Sequence, residues 1–403
     1  MLGEKKHCVK EEPSLKRSLT LRYMLHQMAY WAAAAGVMSF ASAFLLEKGF
    51  PASQVGVLLA AGNLLSCALQ PILADRADRA RGNILTRMIV GLTGLCMVCF
   101  GALLFLPVPR SLFGLLYLLG IFTFDAMMPL MNAISVSCNA SGRAVNYGFC
   151  RGIGSLAFSF AALVIGKAIA AWGADWMLWI VLGLLLANIL ITLGYPPLEG
   201  AGAEDRTQGE ECCSIGVFFL RYKWYCVSLL GVMLLAMFHA MTENYLIEIF
   251  RPLGGDSSSV GIALFIATVA EMPVMLWFDR VRKHMSDNLL LKLSGISFLV
   301  KAVLFLMAPS VTAIYFIQIL QATSYSFLSP TQVYYAGNKI APADMVKGQA
   351  FITASYTLGC AMGNFIGGQL LQFFSLTAML LSGIAMAAAG TVILFLSVGK
   401  SDR

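Results

Sequence analysis

The sequence predicts an all-α membrane protein, twelve crossing helices arranged as two pseudo-symmetric six-helix bundles. Three observations predict it: a composition too apolar for a soluble chain, twelve apolar runs of crossing length, and an internal repeat that maps the second six runs onto the first. Of 403 residues, 59% are apolar and 12% are charged. That charged share is roughly half of the ~25% usual in soluble proteins, too little to cover the surface of a soluble fold this size. The net charge of +7 does not point to nucleic acid, because the basic residues lie in short clusters between apolar runs rather than in one patch. Ten cysteines fall mostly inside apolar stretches, where Cys behaves as a small hydrophobe, and their spacing suggests neither a disulfide framework nor a metal site. Cys212-Cys213 reads as a pair of loop thiols.

A crossing helix needs about 20 mostly apolar residues. In order, the runs are 21–46, 52–74, 83–106, 111–138, 144–171, 175–195, 221–250, 257–278, 287–308, 310–337, 346–373 and 375–398. The first is far longer than the apolar region of a cleaved signal peptide and is read as a retained span. The seventh is the weakest, interrupted by His239, Glu243, Asn244, Glu248 and Arg251. Residues 1–20 form a polar tail and 399–403 a short one. The stretch 196–220 between the sixth and seventh runs carries Pro196-Pro197 and several Gly and Glu, a linker composition dividing the bundles 21–195 and 221–398. With the N-terminus inside, 22 Lys and Arg fall on the inner side and 4 on the outer. That bias predicts a multi-pass protein of the cell membrane with both termini cytoplasmic.

The repeat is short but ordered. Ser53-x-Val55-Gly56 recurs as Ser258-x-Val260-Gly261, and Asn83-x-Leu85-x-Arg87 as Asn288-x-Leu290-x-Lys292, both 205 positions later. Asp78-Arg79-x-Arg81 recurs as Asp279-Arg280-x-Arg282, Pro129 as Pro330 and Gly166 as Gly367, each at 201. Parallel six-span repeats place a solute site between the halves, near the bilayer midplane.

Six runs plus six, with Asp-Arg-x-Arg in both the 2–3 and 8–9 loops, resemble the major facilitator superfamily of secondary transporters. The family's loop signature has a Gly where this chain has Ala74 and another where it has Arg81. Gln70-Pro71, Tyr147-Gly148-x-x-Arg151-x-x-Gly154 and Ala270-Glu271-Met272-Pro273 further resemble the oligosaccharide:proton symporter branch, which includes lactose-permease-like and phenylpropionate-transporter-like proteins. The resemblance implies a transporter rather than an enzyme, alternating access, a small-molecule solute such as a sugar, nucleoside or aromatic acid, and protons as the driving force without a bound cofactor. A facilitator or proton-driven efflux carrier on the same fold is the alternative. A monomer in the lipid bilayer is expected.

The loop residues Asp78, Arg79, Arg81, Asp279, Arg280 and Arg282 are the candidate gate, because an Asp beside Arg can pair across a loop or cap a neighbouring helix. Charges within spans are rarer, each costing about 2.5–3.5 kcal/mol on insertion scales, and they mark solute or proton paths by default. They are Asp125, Arg151, Glu243, Glu271 and Lys301. Depth counting at about 1.5 Å per residue sets Asn132 level with Arg151, and Phe158 two turns along the same face. In the branch the matching pair is Glu and Arg, and the aromatic is Trp, so the pattern is altered here. Gln321 and Ser324 stand where the branch has its proton-coupling His and Glu, and Gln321 and Asn364 add neutral polarity. Glu271 is expected to pair with Lys301, and Asp125 to lie nearer Arg151. That leaves Glu243 without a cation, with His239 at i−4 as its neighbour, as the first candidate for the coupling proton. Gly359, Gly363 and Gly367 form a strip that reads as close helix packing. No phosphate-loop or zinc-protease motif is present.

Overall fold

The structure, a computed structural model, describes residues 13–78, 83–140, 145, 147–196, 215–341 and 344–400. Among these there is no strand. Ten helices are long and apolar enough to cross a membrane: Ala52–Leu73 (α2), Ile84–Phe105 (α3), Arg110–Ser135 (α4), Tyr147–Trp172 (α5), Asp175–Leu193 (α6), Lys223–Asn244 (α7), Ser257–Leu276 (α8), Asp287–Met307 (α9), Val311–Lys339 (α10) and Leu376–Ser397 (α12). Leu19–Ser39 (α1) makes an eleventh with its continuation Ala41–Glu47, bent away by 47°. Met345–Phe373 (α11) is 29 residues long, about 43 Å at 1.5 Å per residue, and so exceeds the ~30 Å hydrocarbon core. Its Gly, Ser, Thr, Asn and Gln keep it outside the ten helices that are apolar enough by composition. The linker stretch 197–214, with Cys212 and Cys213, lies outside the described residues.

Breaks in the helices fall where the sequence weakens them. The end of α1 loosens into a π-turn over Ala35–Ser39 before the bend. α4 breaks at Met127, two residues before Pro129. α10 tightens into a 3-10 turn over Ile319–Ala322, and such mid-helix turns often mark functional positions. α7 runs unbroken to Asn244, and Tyr245 separates it from the short helix Leu246–Phe250.

Packing follows the repeat. In the first half α5 and α6 flank α1, α3 packs on α4 and α6, and α2 on α4. In the second half α11 and α12 flank α7, α9 packs on α10 and α12, and α8 on α10. Every relation recurs with the helix number advanced by six. The halves meet along α5 against α8 and α2 against α11, again one relation and its symmetric copy. Faces turned away from these contacts carry large exposed apolar side chains, among them Val98, Phe105, Leu190 and Phe316, the surface a bilayer would cover. The protein is a multi-pass membrane protein.

Both described ends of the chain, the start of α1 and the end of α12, lie on one side of the bundle, here the terminal side. On the opposite, far side the halves close on glycine. A Cβ on Gly166 of α5 would stand 2.5 Å from the Ser257 carbonyl oxygen and 3.1 Å from the Gly261 Cα of α8. A Cβ on Gly56 of α2 would stand 2.5 Å from the Asn364 carbonyl oxygen and 3.2 Å from the Gly368 Cα of α11. Only glycine allows backbones so close. The strip on α11 packs as the sequence predicts: Cβ atoms on Gly359 and Gly363 would meet the α7 carbonyls of Met233 and Met237.

Candidate functional site

Between the halves lies a cavity of about 230 Å³. Arg151, Ser155 and Phe158 of α5 and Trp31 of α1 line it from the first half; His239, Glu243, Glu271, Gln321, Tyr325 and Tyr356 line it from the second. It shares Arg151, Ser155, Thr268, Glu271 and Tyr325 with a second chamber of about 300 Å³ that extends past Tyr147, Met272, Leu276 and Ser329. Tyr147 begins α5 and Leu276 ends α8, both at the terminal side. The site is therefore continuous towards the terminal side and closed by the glycine crossings on the far side.

Arg151 is held in place by α1 and by its own helix. Its guanidinium carbon lies 3.7 Å from the centroid of the Trp31 ring, and Nη1 donates to Ser155 Oγ at 2.6 Å. Trp31 is oriented in turn: its Nε1 donates to Gln27 Oε1 at 3.0 Å, and Gln27 Nε2 to the Tyr23 hydroxyl at 2.7 Å. These four-residue steps run down one face of α1. One planar cation thus lies over an aromatic face while lining the cavity. Phe158 lines the same cavity, as the spacing from Arg151 predicts. Asn132 does not join it; the Tyr147 hydroxyl donates to Asn132 Oδ1 at 3.3 Å, and among the described residues Arg151 makes no hydrogen bond to Asn132. Equal depth along two helices does not fix their rotation.

The charges of the second half pair differently from the expectation. Lys301, fully buried, donates to Gln321 Oε1 at 2.6 Å and forms an ion pair with Glu243 Oε1 at 3.3 Å. Glu243, expected to lack a cation, has one. Glu271, expected to hold Lys301, forms no ion pair among the described residues; its side chain neighbours Gln321, with the charges of Arg151 and Lys301 at longer range. Depth counting failed because α8 and α9, adjacent in sequence, pack chiefly on other helices, α8 on α5 and α10, α9 on α10 and α12. The 3-10 turn of α10 presents Gln321 between the Lys301 ammonium and Glu271. His239 is not hydrogen-bonded to Glu243; it stacks on Tyr325 with centroids 5.3 Å apart and meets the edge of Phe298 at 6.0 Å.

Two further candidates lie elsewhere. Asp125 does not line the cavity and forms no ion pair among the described residues; it sits near Tyr30 and Cys96, with Tyr30 also in electrostatic range of Arg151. Asn364 belongs to the far-side closure, where it accepts from Asn244 Nδ2 at 2.6 Å and its carbonyl accepts from the Tyr245 hydroxyl at 2.9 Å. Ser42 Oγ of the first half donates to the neighbouring Asn244 carbonyl.

Of the loop candidates, Arg79 and Arg81 and the side chain of Asp78 lie outside the described residues. In the second half Arg282 grips Asp287, not Asp279, through two hydrogen bonds of 2.9 and 3.2 Å, and stacks on Tyr334 at 3.6 Å. Asp287 raises the Arg282 pKa above its ordinary value, so the pair stays ionised. Asn338 also donates to Asp287, at 2.8 Å, tying the α8–α9 loop to the end of α10. Among the described residues Asp279 accepts a single long 3.5 Å bond, from Tyr334, and the Arg280 carbonyl faces His284 Nδ1 at 2.9 Å.

Sequence reasoning missed Trp31, Ser155, Thr268, Tyr325 and Tyr356. A signal existed, since amphipathic aromatics within a span seek a polar neighbour, but the sequence does not say which aromatics share one wall.

Two six-helix halves with a polar cavity between them, closed at one end, together with the matches that follow, make the chain a membrane transporter, not an enzyme. The sequence model of the MFS_1 like family matches residues 20–381, and the chain belongs to that family. It is 25% identical over 380 residues to the maltose permease of Geobacillus stearothermophilus, covering 90% of each chain. It is 24% identical over 369 residues to the uncharacterized transporter YwbF of Bacillus subtilis (strain 168), covering 89% of this chain and 88% of that one. Among solved structures it resembles the nucleoside transporter NupG, with TM-score 0.74 at 16% identity over 95% of this chain and 98% of that one. It also resembles an auto-inhibited POT family peptide transporter, with TM-score 0.71 at 11% identity over 94% of this chain and 96% of that one. These structural likenesses speak to the fold alone.

Proposed function

We propose that the protein imports a hydroxyl-bearing, sugar-like solute together with a proton, and that Glu271 carries the proton. The observation that carries the reading is the division of labour among the cavity acids. Glu243 is committed to Lys301, whereas Glu271 faces the same cavity as Arg151 without an ion pair. A buried carboxyl without an ion-pair partner exchanges a proton more readily than one neutralised by an ammonium. Protonation of Glu271 alters the charge balance beside Arg151 and Gln321, and so links proton occupancy to solute contacts. The aromatic walls of Trp31, Phe158 and Tyr325 suit the C–H faces of a sugar ring, and Arg151, Ser155, Thr268 and Gln321 suit its hydroxyls. The similarity to a maltose permease supports the solute class. The 22-to-4 bias of Lys and Arg supports a cytoplasmic terminal side in the cell membrane, which makes this conformation inward-open.

Proteoliposome transport under an imposed pH gradient tests the reading, with labelled maltose, a nucleoside and an aromatic acid offered in parallel. Glu271→Gln is expected to keep solute counterflow and lose proton-driven accumulation. Accumulation with undiminished proton uptake in that variant overturns the role of Glu271, and accumulation of the nucleoside or aromatic acid but not the sugar overturns the solute class.

A further inference from the structure

A second, roomier cavity lies away from the central one. A groove of about 630 Å³ lies on the far side, where the start of α2, the start of α4 and the end of α11 converge. Its lining changes character with depth. Ser53, Gln54, Arg110, Ser111 and Gln369 ring the outer end, while Val57, Leu58, Leu115 and Leu118 continue it inward. From Arg110 to Leu118 the α4 backbone descends about 12 Å, the passage from headgroup level into hydrocarbon. Val57 and Leu115 stay 46% and 58% exposed, so this floor is uncovered by protein.

Arg110 has no carboxylate partner among the described residues. Its guanidinium carbon lies 4.9 Å from the Phe50 ring centroid, and Nη2 donates to the Gly49 carbonyl. A guanidinium has five N–H donors, so most remain for a ligand. The neighbouring far-side cation is different, since Lys48 is neutralised by Asp175 at 2.6 Å. The groove lining holds one cation and no acid.

We propose that this groove binds one glycerophospholipid of the far-side leaflet, its phosphate on Arg110 and an acyl chain along Leu115 and Leu118, with a net-negative headgroup favoured. Charge complementarity selects phosphate, and the uncovered apolar floor selects a lipid over a free anion. The groove also bridges the halves. Ser53, Gln54 and Val57 come from α2 and Gln369 from α11; Gln369 Nε2 donates to the Ser53 carbonyl at 3.4 Å, one turn from the Gly56–Gly368 crossing. Opening the far side draws α11 from α2 and takes the groove apart, so a bound lipid favours the far-closed state.

Native mass spectrometry of the purified full chain tests the site, titrating phosphatidylglycerol, phosphatidylcholine and inorganic phosphate separately. The wild type is expected to retain one phosphatidylglycerol in preference to phosphatidylcholine. Arg110→Gln is expected to weaken it about tenfold, the loss of one charge-assisted hydrogen bond. Leu115→Trp, which fills the floor and leaves the cation, is expected to weaken it as well. Arg251→Gln removes a far-side cation that pairs with Glu248 outside the groove and is expected to change nothing. Equal lipid retention by wild type and Arg110→Gln, an equal loss in Arg251→Gln, or competition by inorganic phosphate alone overturns the proposal.

Discussion

Lys301 shows what one buried charge demands. Its ammonium is wholly enclosed and rests on two oxygens, Glu243 Oε1 and Gln321 Oε1. Breaking a buried ion pair by removing one partner costs about 3–5 kcal/mol, because the other charge is left uncompensated, whereas replacing both is often neutral. Glu243→Gln is therefore expected to lower the thermal stability of the detergent-solubilised protein by several degrees, and the double variant Glu243→Gln with Lys301→Met to recover most of it. A double variant no more stable than the single one argues against the pair. At this scale the sequence was half legible. It singled out Arg151, Glu243, Glu271 and Lys301 as the costly charges, and all four line or adjoin one cavity. It assigned Lys301 to the wrong acid, because spacing gives depth along a helix and says nothing of which helices are neighbours. Trp31 went unread for a related reason: its role comes from α5, more than a hundred residues away.

At the scale of helices, the two glycine crossings bring the halves together on the far side. Gly166 against Gly261 lies on the α5–α8 seam and Gly56 against Gly368 on its symmetric copy, α2–α11, although the repeat aligns Gly166 with Gly367, one residue before the glycine that meets Gly56. The sequence made Gly56 and Gly261 part of the repeat and read the α11 strip as packing. It did not indicate that glycines of opposite halves meet, since a small residue records that something is close and not what. A leucine at Gly56 and at Gly166 has no space beside the Asn364 and Ser257 carbonyls, so the double variant is expected to favour the far-open state and stop net transport while the fold survives. Phe158→Cys, placed in the cavity of a chain whose native cysteines are replaced, reports the change. An impermeant maleimide added from the far side is expected to label it several-fold faster in the glycine variant. Unchanged labelling with normal transport contradicts closure at these crossings. The breaks at Met127, Tyr245 and Ile319–Ala322 were not placed by the apolar runs, which register length and not regularity, yet the last of them delivers Gln321 to the site.

In the whole molecule, twelve helices form two halves whose packing repeats with a shift of six, and whose only extensive meetings among the described residues are α2 with α11 and α5 with α8. This much was legible in composition, run length and the offsets near 201 and 205, because burial in a bilayer constrains every helix in the same way. Two packed bundles joined at symmetric seams move as bodies, and rocking about a central site lowers one end as it raises the other. Distances between paired spin labels in liposomes measure this most directly. One pair joins Lys167 of α5 to Phe374 beyond α11 on the far side; the other joins Phe149 of α5 to Leu276 of α8 on the terminal side. Alternating access predicts that the first distance lengthens and the second shortens together, both in the Gly56→Leu, Gly166→Leu variant and on adding transported solute under a proton gradient. Distances that stay fixed, or lengthen together, contradict it.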